Sequence, residues 1–171
     1  MHNTRLLQTL ALILLLSTLA TSSTSSTPPP AIGVTISVTD GDTLKVAAGS
    51  RTLKVRLWGI DAPELAQPYG TSATLELRRL TSGTTFTLQV RSRDRYGRTV
   101  AVLTLPDGRQ VNKLMVQAGA AWWYQAYARK AADLMFAQDA ARAARRGLWR
   151  EANPTPPWAF RAAHRARSPK R

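Results

Sequence analysis

Short runs of alternating apolar and polar residues, each cut off by a turn signal, fill the first half of the chain and narrow its fold more than any other feature. Residues 34–39 (VTISVT), 43–46 (TLKV) and 52–57 (TLKVRL) each alternate. A period of two sends successive side chains to opposite faces, so each run is a strand with one buried face. Asp40, Gly41 and Asp42 separate the first two runs, and Ala48, Gly49 and Ser50 precede the third; Asp, Gly and Ser are turn-forming residues. In the third run Leu53, Val55 and Leu57 share a face, which leaves Arg56 on the other, toward a cavity or solvent. Two more alternating runs, 85–90 and 99–105, flank a turn at 94–97 (DRYG).

Helical spacing marks three further segments. Residues 70–80 carry Ala73, Leu77 and Leu80 and stop near Gly83; 111–118 carry Val111, Leu114, Met115 and Ala118 before Gly119; 131–146 carry Leu134, Met135 and Ala141 before Gly147. Three strands, a helix, two strands and then helices is the order of a five-stranded OB-fold barrel. The expected class is mainly β with α (α+β), with three helices.

The chain ends read differently. Residues 1–20 combine Arg5 with an apolar run, a signal peptide with a small-residue cleavage site after Ala20. A retained membrane anchor is the alternative, but a spanning helix needs roughly 20 apolar residues and this run is shorter. The expected location is therefore secreted or periplasmic, with no stable membrane association once the signal is removed. Residues 21–33 read as a flexible linker, 34–149 as the folded domain, and 150–171 as a basic Pro/Arg-rich tail. The tail is expected to be solvated and disordered near its end, with Trp158 and Phe160 packing its first half onto the domain. A monomer is expected.

Lys and Arg total 24 against 10 Asp and Glu, a formal charge of +14. The first thirty residues contain one basic residue and no acid, so the excess lies beyond them. Such a balance favours an anionic partner: nucleic acid, phosphate or a membrane surface. Cys is absent and the two His, His2 and His164, lie near the chain ends. That excludes disulfide scaffolds, Cys-ligated zinc, thiolate nucleophiles and, within the folded region, Ser-His-Asp or zinc-peptidase chemistry. A catalytic base here would be a carboxylate or Lys.

Four of the ten carboxylates fall in one window: Asp40, Asp42, Asp61 and Glu64. Neighbouring strands of a meander can bring their two turns together, and gathered carboxylates repel unless a cation joins them. Hard oxygen donors point to Ca²⁺ or Mg²⁺. Singly, each piece has an ordinary explanation: turn chemistry for Asp40 to Asp42, a helix-dipole acid for Glu64, surface charge for Arg56 and Arg98. Together, two acidic turns, an Arg on a polar strand face and a Gly-Arg after a second hairpin make a phosphodiester site.

The stretches 40–43 (DGDT), 56–64 (RLWGIDAPE) and 94–98 (DRYGR) resemble three signature stretches of the staphylococcal nuclease (thermonuclease) family, and 112–119 (NKLMVQAG) resembles its following helix. The similarity covers about residues 34–149, and 153–158 (NPTPPW) is similar to an extension of bacterial members. The resemblance implies a Ca²⁺ held by Asp42, Asp61 and the main-chain carbonyl of Ala62, with Asp40 as a near-site acid. It implies Glu64 as general base, Arg56 and Arg98 as phosphate clamps, and Tyr96 and Tyr127 as nucleotide contacts. Gln125 stands where the family has a Tyr. With two firm carboxylate ligands the affinity should lie near the roughly 10⁻⁴–10⁻³ M range of extracellular modules. The expected activity is Ca²⁺-dependent hydrolysis of DNA and RNA without sequence specificity, expelling the 5′-oxygen and cutting single strands better than duplex. The alternatives are a non-catalytic OB-fold nucleic-acid-binding module, which should lack some of these five charged groups, and a cationic protein acting on anionic membranes through its tail. Prolines interrupt that tail, and no amphipathic stripe is evident in it.

Overall fold

In the computed structural model, which describes residues 31–167, the chain runs Ala31–Val38 (β1), Thr43–Ala48 (β2), Arg51–Leu57 (β3), Ile60–Asp61 (β4), Gly70–Thr81 (α1), Thr85–Arg93 (β5), Thr99–Thr104 (β6), Val111–Gln117 (α2), Trp122–Trp123 (β7) and Ala132–Ala143 (α3). A 3₁₀ turn, Gly147–Arg150, and a last helix, Pro157–Arg167 (α4), follow. The signal segment and most of the linker lie outside the described residues. Among those described, no helix is long and apolar enough to cross a membrane.

Strands β1, β2, β3, β6 and β5 close in that order into a five-stranded barrel. β1 pairs antiparallel with both β2 and β5, and β3 pairs parallel with β6 from Val55↔Thr99 to Leu57↔Ala101. The alternation read in the sequence is the barrel's in–out pattern in β2 and β3 and at Phe86 and Leu88 of β5, but not in β1, where Gly33 is buried and the apolar Val34 and Ile36 are exposed at 43% and 54%. Leu44, Val46, Val55, Leu57, Phe86, Leu88 and Leu103 are buried, while Lys45 and Lys54 face out. Helices α1 and α2 add Ala73, Leu77, Val111 and Met115 to the same core.

Asn112, at the start of α2, is almost wholly buried and spends its amide on the barrel. Its Oδ1 accepts from Leu103 N at 3.0 Å, and its Nδ2 donates to Trp58 O at 2.8 Å and Ala101 O at 3.2 Å. This ties α2 to β6 and to the chain leaving β3, just ahead of the second acidic turn.

Two features differ from the sequence expectation. β1 takes in residues 31–33, assigned above to the linker. A side chain at Gly33 would overlap Leu88 and Val46, so Gly33 lies against the barrel interior while Ala31 and Ile32 are exposed. Among the described residues there are also four α-helices rather than three. The fourth forms in the presumed tail, with Pro157 as its first residue, where a missing N–H costs no intrahelical bond.

Candidate active site

The two acidic turns meet because the residues between them are small. A Cβ on Gly41 would lie 2.6 Å from Ala62 Cβ and 2.8 Å from Ala73 Cβ, so only glycine lets the first turn press on the second. Asp40 Oδ1 accepts from Asp42 N at 3.0 Å, which is the local turn chemistry. Asp42 is turned inward: its Oδ2 accepts from Ala62 N at 2.7 Å, and its Oδ1 from Thr43 Oγ1 at 3.1 Å. The main-chain contact found at Ala62 is thus its N–H to Asp42. Asp61 is fixed by β4, where it pairs with Trp122 of β7.

Arg56 bridges the turns. Its Nη1 lies 3.1 Å from Asp42 Oδ2 and its Nη2 2.7 Å from Asp61 Oδ1. Nη1 also donates to the carbonyls of Leu57 and Ile60 at 3.1 and 2.9 Å. No partner engages Nε among the described residues, so the guanidinium keeps a donor for a ligand.

Glu64 lies on the loop after β4. Its N–H donates to Gln67 Oε1 at 2.9 Å, and Gly70 lets α1 begin against the Glu64 carbonyl, where any side chain would collide. Arg98 is held from the far side of the cavity. Its Nε donates to Asp94 Oδ2 at 2.6 Å, and its main-chain N–H to Asp94 Oδ1 at 3.0 Å. Tyr96 lies beneath it, with the Arg98 guanidinium carbon 5.4 Å from the ring centroid.

A residue given no role above completes the charge pattern. Arg161 of α4 donates through Nη2 to Asp61 Oδ2 at 2.7 Å, and through Nη1 to Asp61 Oδ1 at 3.2 Å and Glu64 Oε1 at 2.7 Å. The helix is anchored by Trp158, stacked on Tyr124 at 5.4 Å and 6° and set edge-on to Trp122 at 5.6 Å. Gln67 Nε2 adds a hydrogen bond to Thr155 O at 3.0 Å.

Burial dominates the electrostatics of Asp42. It pushes the carboxyl up to about 7; Arg56 and the Ala62 amide pull down, and Asp40 and Asp61 add repulsion. Burial also raises Asp94, but hydrogen bonds from the Arg98 side chain and from the amides of Arg98 and Tyr96 outweigh it and leave the carboxyl below its ordinary value. For Arg161 burial acts downward, and the hydrogen bonds to Asp61 and Glu64 reverse it, so the guanidinium stays charged.

These groups enclose one cavity of about 850 Å³, and every residue assigned a role in the sequence, from Asp40 to Tyr127, lines it. Gln125 does not; the adjacent Tyr124 supplies an aromatic ring there instead. Sequence reasoning passed over Asp94, read only as a turn residue, and over Tyr124 and Arg161. A signal for Arg161 was present: Trp158, Arg161 and Arg165 fall at i, i+3 and i+7, one face of a helix, and all three line the cavity. The stripe judged missing from the tail is therefore aromatic and cationic rather than apolar.

Asp42 and Asp61 offer only hard oxygen atoms, which fit Ca²⁺ or Mg²⁺. Among the described residues no three His, Cys, Asp or Glu gather into a complete cage. An ion here would complete its shell from main chain, water and substrate.

Fold and site together define a class: an OB-type barrel with buried acids and guanidinium groups in one open cavity, built for an anionic ligand. Residues 54–151 match the model of the staphylococcal nuclease homologue family, and the chain belongs to that family. It is 43% identical over 129 residues to an uncharacterized endonuclease of Escherichia coli O157:H7, covering 75% of this chain and 84% of that protein. It is 37% identical over 140 residues to a micrococcal nuclease of Shigella flexneri, covering 77% and 80%. A staphylococcal-like nuclease of Arabidopsis thaliana shares 38% identity over 112 residues, 66% of this chain and 34% of the plant protein. Asp42 and Arg161 lie outside the span of the family match.

Proposed function

We propose that the protein is a nuclease that hydrolyses phosphodiester bonds of DNA and RNA without sequence preference, depends on Ca²⁺, and acts outside the cytoplasm. The observation that carries this reading is the convergence of Asp42, Asp61 and Glu64 with Arg56 and Arg98 on one cavity.

A phosphodiester is an anion that repels nucleophiles, so cleavage needs charge neutralisation, a positioned water and a proton acceptor. Asp42 and Asp61, with the main chain at Ala62, would hold the cation, which supplies Lewis-acid polarisation of a phosphate oxygen. Glu64 takes the proton of the attacking water as the water oxygen bonds to phosphorus and the bond to the 5′-oxygen breaks, that oxygen leaving as a hydroxyl with a proton from solvent. A general base of this kind contributes about 10²–10⁴ in rate, short of the roughly 10⁶ or more that enzymes supply, so electrostatics must provide the rest. Arg56 and Arg98 provide it by donating to the equatorial oxygens as they gain charge. Tyr96 and Tyr127 are strongly exposed at 68% and 73%, and aromatic rings at the mouth of a charged groove suit contact with unstacked bases, which favours single strands over duplex.

The test is hydrolysis of single-stranded DNA with Ca²⁺ and with excess chelator. Cleavage that chelator abolishes and Ca²⁺ restores supports the reading. Cleavage that chelator leaves unchanged, or none under either condition, contradicts it.

A further inference from the structure

Arg161 lies 100 residues from Asp61 and 97 from Glu64 in sequence, yet it bonds both carboxylates. The Asp61 side chain is only 1% exposed, and its oxygens are approached by two guanidinium groups: Oδ1 by Arg56 and Arg161, Oδ2 by Arg161. Arg161 also holds Glu64 Oε1, one of the two oxygens that could accept a proton from water. A divalent cation on Asp61 would have to share its carboxylate with a permanent positive charge a few ångströms away. Like charges at such a distance repel strongly even when partly solvated.

The helix that carries Arg161 has further anchors at its start. Pro157 is buried, Trp158 is stacked on Tyr124, and Gln67 holds the Thr155 carbonyl. The side chain can therefore withdraw while α4 stays docked. Arg165, one turn further on, lines the same cavity, so a withdrawn Arg161 remains beside the place a polyanion would occupy.

We propose that Arg161 is the built-in counter-ion of the cation site: it neutralises Asp61 and Glu64 when no divalent ion is bound, and ion and guanidinium displace one another. This rests on the reading that Asp42 and Asp61 take a divalent cation. Because coupling between sites is reciprocal, a phosphodiester that gives Arg161 another anion tightens ion binding, and the two ligands assemble the site together. Arg161 is in this sense a positioning residue, and its release frees Glu64 for water.

The experiment is calorimetric titration with Ca²⁺ alone, without nucleic acid, of wild type, Arg161→Gln, Arg161→Lys and Arg165→Gln. Removing one positive charge at this distance should tighten Ca²⁺ binding about tenfold in Arg161→Gln. Arg161→Lys, which keeps the charge and loses the fork, should fall between that variant and wild type, and carries the test if Arg161→Gln does not fold. Arg165→Gln removes the same charge from the same helix and should change affinity by no more than about twofold. A merely structural role for Arg161 predicts weaker Ca²⁺ binding on substitution. Equal or weaker binding in the Arg161 variants, with wild type binding Ca²⁺, overturns the proposal and leaves the cation reading intact. Absence of Ca²⁺ binding in every protein overturns both.

Discussion

Asp42 is ionised at neutral pH only against the cost of its burial, and that cost is measurable. Its pKa rises from 3.8 to about 7 on folding, so between those values the folded state binds more protons than the unfolded one. Stability from this group is therefore full below about pH 4 and is lost as pH rises through 7. In chelator at pH 8, Asp42→Asn should be more stable than wild type by about 1–3 kcal/mol, and the gap should narrow as pH falls through 7 and close toward pH 4, read by urea unfolding. The same substitution should abolish Ca²⁺-stimulated cleavage. Arg98 differs, being held by Asp94 rather than by the acids of the turns. Arg98→Lys keeps the charge but loses the planar fork, so turnover should fall by about 10² or more while substrate affinity changes little. Equal losses in both would mean that Arg98 only holds substrate. At this scale the sequence exposed the acids and two of the arginines because each sits in a turn or alternates out of an apolar face. It hid Arg161, whose partners are fixed by tertiary contact across most of the domain.

Among the elements, the barrel strands were legible because one face is buried and the period of two leaves its mark in residues such as Leu53, Val55 and Leu57. β4 and β7 were not, since two-residue ladders leave no period to read, yet that pairing fixes Asp61. Helix α4 escaped for a different reason. Its face toward the domain carries Trp158, Arg161 and Arg165, and a hydrophobic stripe is the wrong signal for a helix docked on the carboxylates of a charged cavity. Asn112 shows how an element reaches the site without touching it. Asn112→Ala would take their Asn112 partner from Leu103 N–H and Trp58 O, while Ala101 O keeps its hydrogen bond from Trp58 N–H at 2.8 Å; each buried group left unpaired costs about 1–3 kcal/mol. A loss of roughly 2–4 kcal/mol by denaturant titration is expected, and a loss below about 0.5 kcal/mol would show that water repairs the gap.

The whole molecule joins a strongly positive surface to one pocket of opposed charges. Six arginines line that cavity: Arg56, Arg93, Arg95, Arg98, Arg161 and Arg165. Their contacts with a single strand should release counterions, so binding of a single-stranded oligonucleotide should weaken linearly on a log–log plot against salt, with a slope of about −4. A slope near zero would mean that the positive surface does not meet the backbone. The OB class was legible from strand order and turn spacing. The fourth helix and the extension of β1 through residues 31–33 were not, because local composition there resembles linker and tail. All of this turns on Glu64 acting as the base within a pocket of opposed charges. The direct measurement is turnover of single-stranded DNA in saturating Ca²⁺ by Glu64→Gln, which keeps the shape and the hydrogen-bond acceptor but cannot take a proton. A fall of 10² or more with unchanged oligonucleotide affinity is expected; turnover within about tenfold of wild type would contradict the account.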